Sequence, residues 1–211
     1  MLVDGMRAGS LEGFIGAVLA FIIVIGLCLP IHEFGHAWAA VKMGDTLPLD
    51  QGRYTLNPLR HLDVVGAALL ALVGFGWAKP VQINPYALRK APNLRAGMVV
   101  AAAAGPAMNV LLAVGAAALF RLNQSTLRLP LAADVLSFLT YINLVLVVFN
   151  LIPVPPLDGS RILFMLLPSR YDHITAGLNQ YGPFILLAVV LLAGSLISSA
   201  AWTLTRILLG F

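Results

Sequence analysis

Charge is what this sequence has least of. Only 10% of its 211 residues are Asp, Glu, Lys or Arg and 60% are hydrophobic, whereas soluble domains carry about 25% charged residues. A mean hydropathy of +0.91 leaves more apolar surface than a water-facing fold can hide, which excludes a soluble globular protein. Cysteine is almost missing too. Cys28 stands alone in an apolar run, so no internal disulfide can form and no redox compartment follows. Repeats of 20–50 residues, low-complexity tracts and polar blocks large enough for a soluble domain are all lacking. Residues 1–211 therefore read as a single integral-membrane unit, with any regulatory module expected on a different chain. The 13 Lys and Arg outnumber the 9 Asp and Glu, but they are scattered between apolar segments and build no basic stripe, so no nucleic-acid partner is expected. They are read as topology signals instead.

Four uncharged runs, residues 14–31, 96–120, 135–157 and 174–205, approach or exceed the roughly 20 residues that cross a bilayer. The expected fold class is all-α, a polytopic membrane helical bundle. Arg7 precedes the first run as in a secretory leader, yet Asp4 and Glu12 spoil the basic region and no cleavage site follows, so the run is expected to stay as a span. A fifth apolar piece, residues 64–78, is shorter, contains Gly66, Gly74 and Gly76, and leads into Lys79-Pro80. It fits a re-entrant or interfacial segment better than a crossing. Charge supports that choice. If this piece does not cross, nine of the 13 basic residues (Lys42, Arg53, Arg60, Lys79, Arg89, Lys90, Arg95, Arg161 and Arg170) share one side, as the cytoplasmic side should. Arg7, Arg121, Arg128 and Arg206 fall on the other, so the first span runs from outside to inside. Trp77, Tyr86, Tyr181 and Trp202 sit at segment ends, where aromatic rings anchor at the interface.

The first span leads directly into His32-Glu33-Phe34-Gly35-His36. With four His and two Glu in the whole chain, chance explains this pattern poorly. Residues four apart lie one turn above each other on a helix, so both imidazoles can reach one metal ion while Glu33 points toward a bound water. Three ionisable side chains clustered at a span are costly, about 2.5–3.5 kcal/mol each on the mildest scale, unless something such as a divalent cation compensates. A catalytic zinc takes a third protein ligand and leaves a fourth position for water. Asp45, Asp50, Asp63 and Asp172 lie in loops beside polar or basic neighbours and read as solvated, while Asp4 and Asp134 fall on the other side. Asp158 ends the stretch Asn150-Leu-Ile-Pro-Val-Pro-Pro-Leu-Asp158-Gly159, whose prolines forbid regular helix. It either caps the next helix or serves as a ligand. Four spans bring it to the same side as His32 and His36.

With these motifs together, the chain resembles the site-2 protease family of intramembrane zinc metalloproteases, in particular its short members without PDZ or CBS domains. The resemblance rests on the 32–36 motif, on Gly105-Pro106-Ala-Met-Asn109 in the second span, and on the Asn150–Gly159 stretch. Gly52–Pro58 and Trp77–Pro80 also look like linking segments of bacterial and archaeal members. The resemblance implies one Zn2+ per chain held by His32, His36 and Asp158, with Glu33 as the catalytic base that activates the water. It places Asn150 beside the metal and turns Asn109 toward the active-site cavity, both as substrate-binding residues. Interhelical hydrogen bonding is the plainer use of either asparagine, and Asn143 reads as packing glue. His61 and His173 are not expected to be ligands.

The expected function is hydrolysis of peptide bonds in or near transmembrane segments of membrane-protein substrates. Its setting is a prokaryotic cell membrane, with the active site toward the cytoplasmic side. Gly52–Pro58 is open to two readings, an interfacial loop or a short strand that receives the substrate by edge addition. Two other functions remain compatible with the residues: a non-catalytic metal-binding membrane protein, and a zinc hydrolase acting on a lipid or small amphiphile. No inverted repeat supports a transporter.

Overall fold

The computed structural model describes residues 11–74 and 76–211; the sidedness markers Asp4 and Arg7 fall outside them. Four helices are long and apolar enough to cross a membrane: Gly13–Lys42, Leu94–Ser125, Pro130–Asn150 and Asp172–Leu209. Among the described residues no strand forms. The chain is an all-α polytopic bundle.

The first span is built from α1 (Leu11–Ile23), a π-helical turn (Val24–Cys28) and α2 (Leu29–Lys42). Pro30 accounts for the wide turn. It has no N–H to give the carbonyl four residues back, and its ring needs room there, which an i→i+5 turn provides. The helix then continues through His32, Glu33 and His36 to Lys42, well beyond the uncharged run.

The segment after residue 61 is a hairpin. The Asp63 side chain accepts from Gly66 N at 2.8 Å and starts α3 (Val64–Val73). Gly74 ends it in the left-handed region at φ 77°, where glycine carries no Cβ penalty. The returning chain packs so closely that a Cβ on Gly66 would lie 2.1 Å from Trp77 O. Lys79 N–H then donates to His61 O at 2.8 Å. Entry and exit are thus adjacent, and ten helical residues reach only about 15 Å, half the hydrocarbon core. The piece turns back on itself, the geometry expected of a re-entrant or interfacial segment.

The central helix α4 (Leu94–Ser125) carries Gly97, Ala101, Gly105, Asn109, Ala113 and Ala117 as a buried stripe at a spacing of four. Small side chains let the neighbouring backbones approach. A Cβ on Gly35 of α2 would lie 2.7 Å from Ala104 O. Ala113 packs with Leu144 of α5 (Pro130–Asn150) and Ala201 of α7 (Asp172–Leu209), and Ala117 and Phe120 pack with Leu209. Arg121 donates to the carbonyls of Leu208 and Ile207 at 2.8 and 3.2 Å, capping the end of α7. The apolar core therefore fills one end of the bundle and leaves the other to polar groups.

One local expectation holds, one open reading is decided and one expectation is corrected. The prolines at 153, 155 and 156 were expected to forbid regular helix, and the helix of the third span stops at Asn150; the chain turns through residues 151–157, with a cis Pro155–Pro156 peptide, before the short helix α6 (Asp158–Leu166). Residues 52–58 form no strand. Gly52 reverses the chain at φ 63°, and Asn57 caps a single helical turn, Pro58–His61, by accepting from Leu59 N at 3.1 Å. Asp45 is not solvated. It is buried, with Oδ1 accepting from Leu47 N at 3.0 Å and Oδ2 from Asn84 N at 2.7 Å.

Candidate metal centre

The His-Glu-x-x-His turn of α2 faces the small-residue stripe of α4, and the start of α6 closes the third side. His32, His36 and Asp158 are all buried, at 4%, 3% and 6% exposure. They form the one cluster of metal-capable side chains among the described residues, with ligand atoms within 4.8 Å of one another. The two Nε2 atoms lie 3.1 Å apart, and Asp158 Oδ2 is 3.2 Å from each.

The outer nitrogens decide what those inner atoms can be. His36 Nδ1 lies 2.8 Å from Ala101 O, a carbonyl that only accepts, so Nδ1 carries the hydrogen. His32 Nδ1 lies 2.6 Å from Asn109 Oδ1 and donates to it. With both Nδ1 atoms protonated, each neutral imidazole presents an Nε2 lone pair to the centre. Two such lone pairs and a carboxylate oxygen converge with no donor between them, and Asp158 Oδ2 has no hydrogen-bond partner. One proton could relieve a single pair. A divalent cation satisfies all three, and two imidazoles with one carboxylate are an ordinary donor set for zinc. The residues fit the metal.

Gly105 completes the cradle. A Cβ there would lie 2.3 Å from His36 Nε2 and 2.8 Å from His32 Cε1, so only glycine leaves the rings this close to α4. Gly159 plays the same part for Asp158, because a Cβ would meet Leu151 O at 2.3 Å. This close return of the proline-rich turn carries the carboxylate inward.

Glu33 is buried beside the cluster, and its Oε2 accepts the Val81 backbone N–H at 2.9 Å. Asn109 is fully buried, its amide nitrogen reaching Asn143 Oδ1 at 2.7 Å, so here it faces the α2–α5 seam rather than an open cavity. Asn143 bridges spans as expected of packing glue, and it also reaches Cys28 Sγ at 3.4 Å. Asn150 stands at the end of α5 with its amide donating back to Leu146 O at 2.9 Å. His61 is buried away from the cluster, its Nε2 2.8 Å from Thr55 O. Sequence reading missed Gly105 as a cradle residue and the Val81 anchor. A glycine in the turn of α4 facing the histidines could have signalled the first; nothing local signals a backbone N–H 48 positions away.

Known proteins are similar to this chain in sequence. The model of peptidase family M50 matches residues 130–193, a stretch that includes the proline-rich turn and Asp158. The protein named "Putative zinc metalloprotease YwhC" of Bacillus subtilis (strain 168) is 37% identical over 174 residues, covering 80% of this chain and 78% of that protein. "Putative zinc metalloprotease Rip2" of Mycolicibacterium smegmatis is 30% identical over 187 residues, covering 83% of this chain and 69% of that protein. Its namesake in Mycobacterium tuberculosis (strain ATCC 25618 / H37Rv) is 32% identical over 174 residues, covering 80% and 64%. No solved structure matches the chain.

Proposed function

The chain belongs to peptidase family M50 and is a membrane zinc metalloprotease; from that premise we propose that it hydrolyses peptide bonds in or beside the transmembrane segments of other membrane proteins. His32, His36 and Asp158 hold one zinc ion, and Glu33 is the catalytic base. The convergence of two imidazole lone pairs and the Asp158 oxygen at 3.1–3.2 Å carries this reading. When bound, zinc supplies Lewis acidity, which brings the pKa of a water near neutrality and polarises a carbonyl.

The remaining work belongs to the protein. With Oε2 held by Val81 N–H, Glu33 has its other oxygen to take a proton from water and return it to the leaving amine. Gly105 keeps room for the imidazoles. Asn150 binds the substrate backbone or its developing negative charge, for which its amide must leave Leu146 O. A transmembrane substrate satisfies its backbone internally, so it must unwind locally before a peptide bond can be reached. The basic bias of nine residues to four supports a site on the cytoplasmic side of a prokaryotic membrane.

The test is purification in detergent, metal analysis, and incubation with single-span substrates. Glu33→Gln is expected to keep zinc and lose cleavage, and Asp158→Ala to lose zinc affinity. Cleavage at the normal rate by the glutamine variant overturns the assignment of the base. Hydrolysis of lipid esters but no peptide overturns the substrate class.

A further inference from the structure

We infer that Asn109 is a positioning residue for the metal centre, the inner link of a polar chain across three spans that obliges His32 to present Nε2. This rests on the reading of His32, His36 and Asp158 as ligands. The direction of each bond follows from the far end of the chain. Leu139 O can only accept, so the Asn143 nitrogen faces it, at 2.8 Å. Asn143 Oδ1 is thereby turned toward Asn109 and also only accepts, so it meets the Asn109 nitrogen at 2.7 Å. The same nitrogen reaches Cys28 O at 3.4 Å. What remains for His32 Nδ1 is Asn109 Oδ1, at 2.6 Å. An oxygen in that place requires N–H on Nδ1 and keeps the proton off Nε2, the atom that faces His36 and Asp158. A flipped amide would offer NH2 instead, moving the proton to the atom that must bind the ion.

The network closes on the span where it starts. Asn143 Nδ2 reaches Cys28 Sγ at 3.4 Å, and Cys28 ends the π turn, four residues before His32 on the same face. Asn109 and Asn143 are both 0% exposed, so neither touches substrate or lipid. Ordinary interhelical bonding would be indifferent to which amide atom faces the imidazole. This chain is not, because its orientation is fixed at a carbonyl two links away.

The experiment separates the oxygen that faces His32 from the amide that binds the neighbouring helix. Zinc affinity is measured by chelator competition on metal-depleted protein in detergent, with Co2+ absorption reporting the ligand field. Asn109→Leu removes both interactions and is expected to weaken zinc binding 10- to 100-fold. Asn109→Asp keeps an oxygen on His32 Nδ1 but cannot donate to Asn143, and is expected to retain near wild-type affinity and Co2+ spectrum. Unchanged affinity in the leucine variant, or equal loss in both, overturns the inference. If the leucine variant does not fold, Asn143→Leu decides: it frees the Asn109 amide to flip, so weakened zinc binding supports the inference and unchanged binding overturns it. Wild-type protein without zinc affinity would instead sink the metal-centre reading itself.

Discussion

The backbone N–H of Val81 donates to Glu33 Oε2 at 2.9 Å, joining residues 48 positions apart. Val81 belongs to an irregular run over residues 76–84 that is tied down on both sides. Lys79 N donates to His61 O at 2.8 Å, Asn84 N to Asp45 Oδ2 at 2.7 Å, and Gln51 Nε2 to Gln82 Oε1 at 2.7 Å. The hairpin thus does more than fill space beside the first span. It delivers a donor to the proposed base.

Removing that donor should slow chemistry without touching the metal. Proline at position 81 has no N–H to donate. Val81→Pro is expected to lower kcat for a transmembrane substrate about 10- to 100-fold, the scale of a misplaced catalytic group, with bound zinc unchanged. An undiminished kcat would show that Glu33 needs no anchor.

Filling the cradle should do the opposite. A Cβ on Gly105 would lie 2.3 Å from His36 Nε2, so Gly105→Ala must displace an imidazole or the helix behind it. Zinc affinity is expected to fall about tenfold or more, as for other disturbed ligand shells, while the spans still assemble. Chelator competition measures it, and wild-type affinity would mean that the rings stand farther from α4.

Much of this centre is legible in the sequence, and the division has a physical basis. The His32–His36 spacing encodes a shared helical face, and three prolines before Asp158 announce irregular backbone at membrane depth. Both are local patterns that survive without knowledge of the fold. The role of Asn109 was read differently, because whether an asparagine faces a cavity or a neighbouring helix depends on the rotation of α4, which its small residues leave unspecified until α2 and α5 are in place. Asp45 looked solvated because Gly44 and Thr46 flank it, yet its carboxylate is consumed by two backbone N–H groups. The Gly52–Pro58 stretch has the β-favouring composition of a strand, but Gly52 adopts a left-handed turn and no strand forms.

Arg53 is buried at 7% exposure and donates to the carbonyls of Arg60 and Lys79. It fastens the loop before the hairpin to the run after it. Arg53→Met keeps the apolar stem and removes the donors, an expected loss of about 1.5–3 kcal/mol for bonds to a charged group. Hydrogen exchange at the Val81 amide should quicken as residues 76–84 loosen. Unchanged exchange would show that the run is held without the guanidinium.

The hairpin geometry predicts sidedness. Arg60, Lys90 and Arg128 are exposed and Cys28 is fully buried, so single cysteines at the three positions can be labelled over a low background. Arg60→Cys and Lys90→Cys should react with an impermeant maleimide from one face of oriented vesicles, and Arg128→Cys from the other. Labelling of positions 60 and 90 from opposite faces would mean that residues 64–78 cross.

X-ray absorption at the zinc edge of the purified, active protein tests the ligand set most directly. Two imidazole nitrogens at about 2.0–2.1 Å and oxygen at about 2.0–2.2 Å, with no sulfur, are the predicted shell. A sulfur neighbour at about 2.3 Å, or cleavage by protein that contains no zinc, would contradict it.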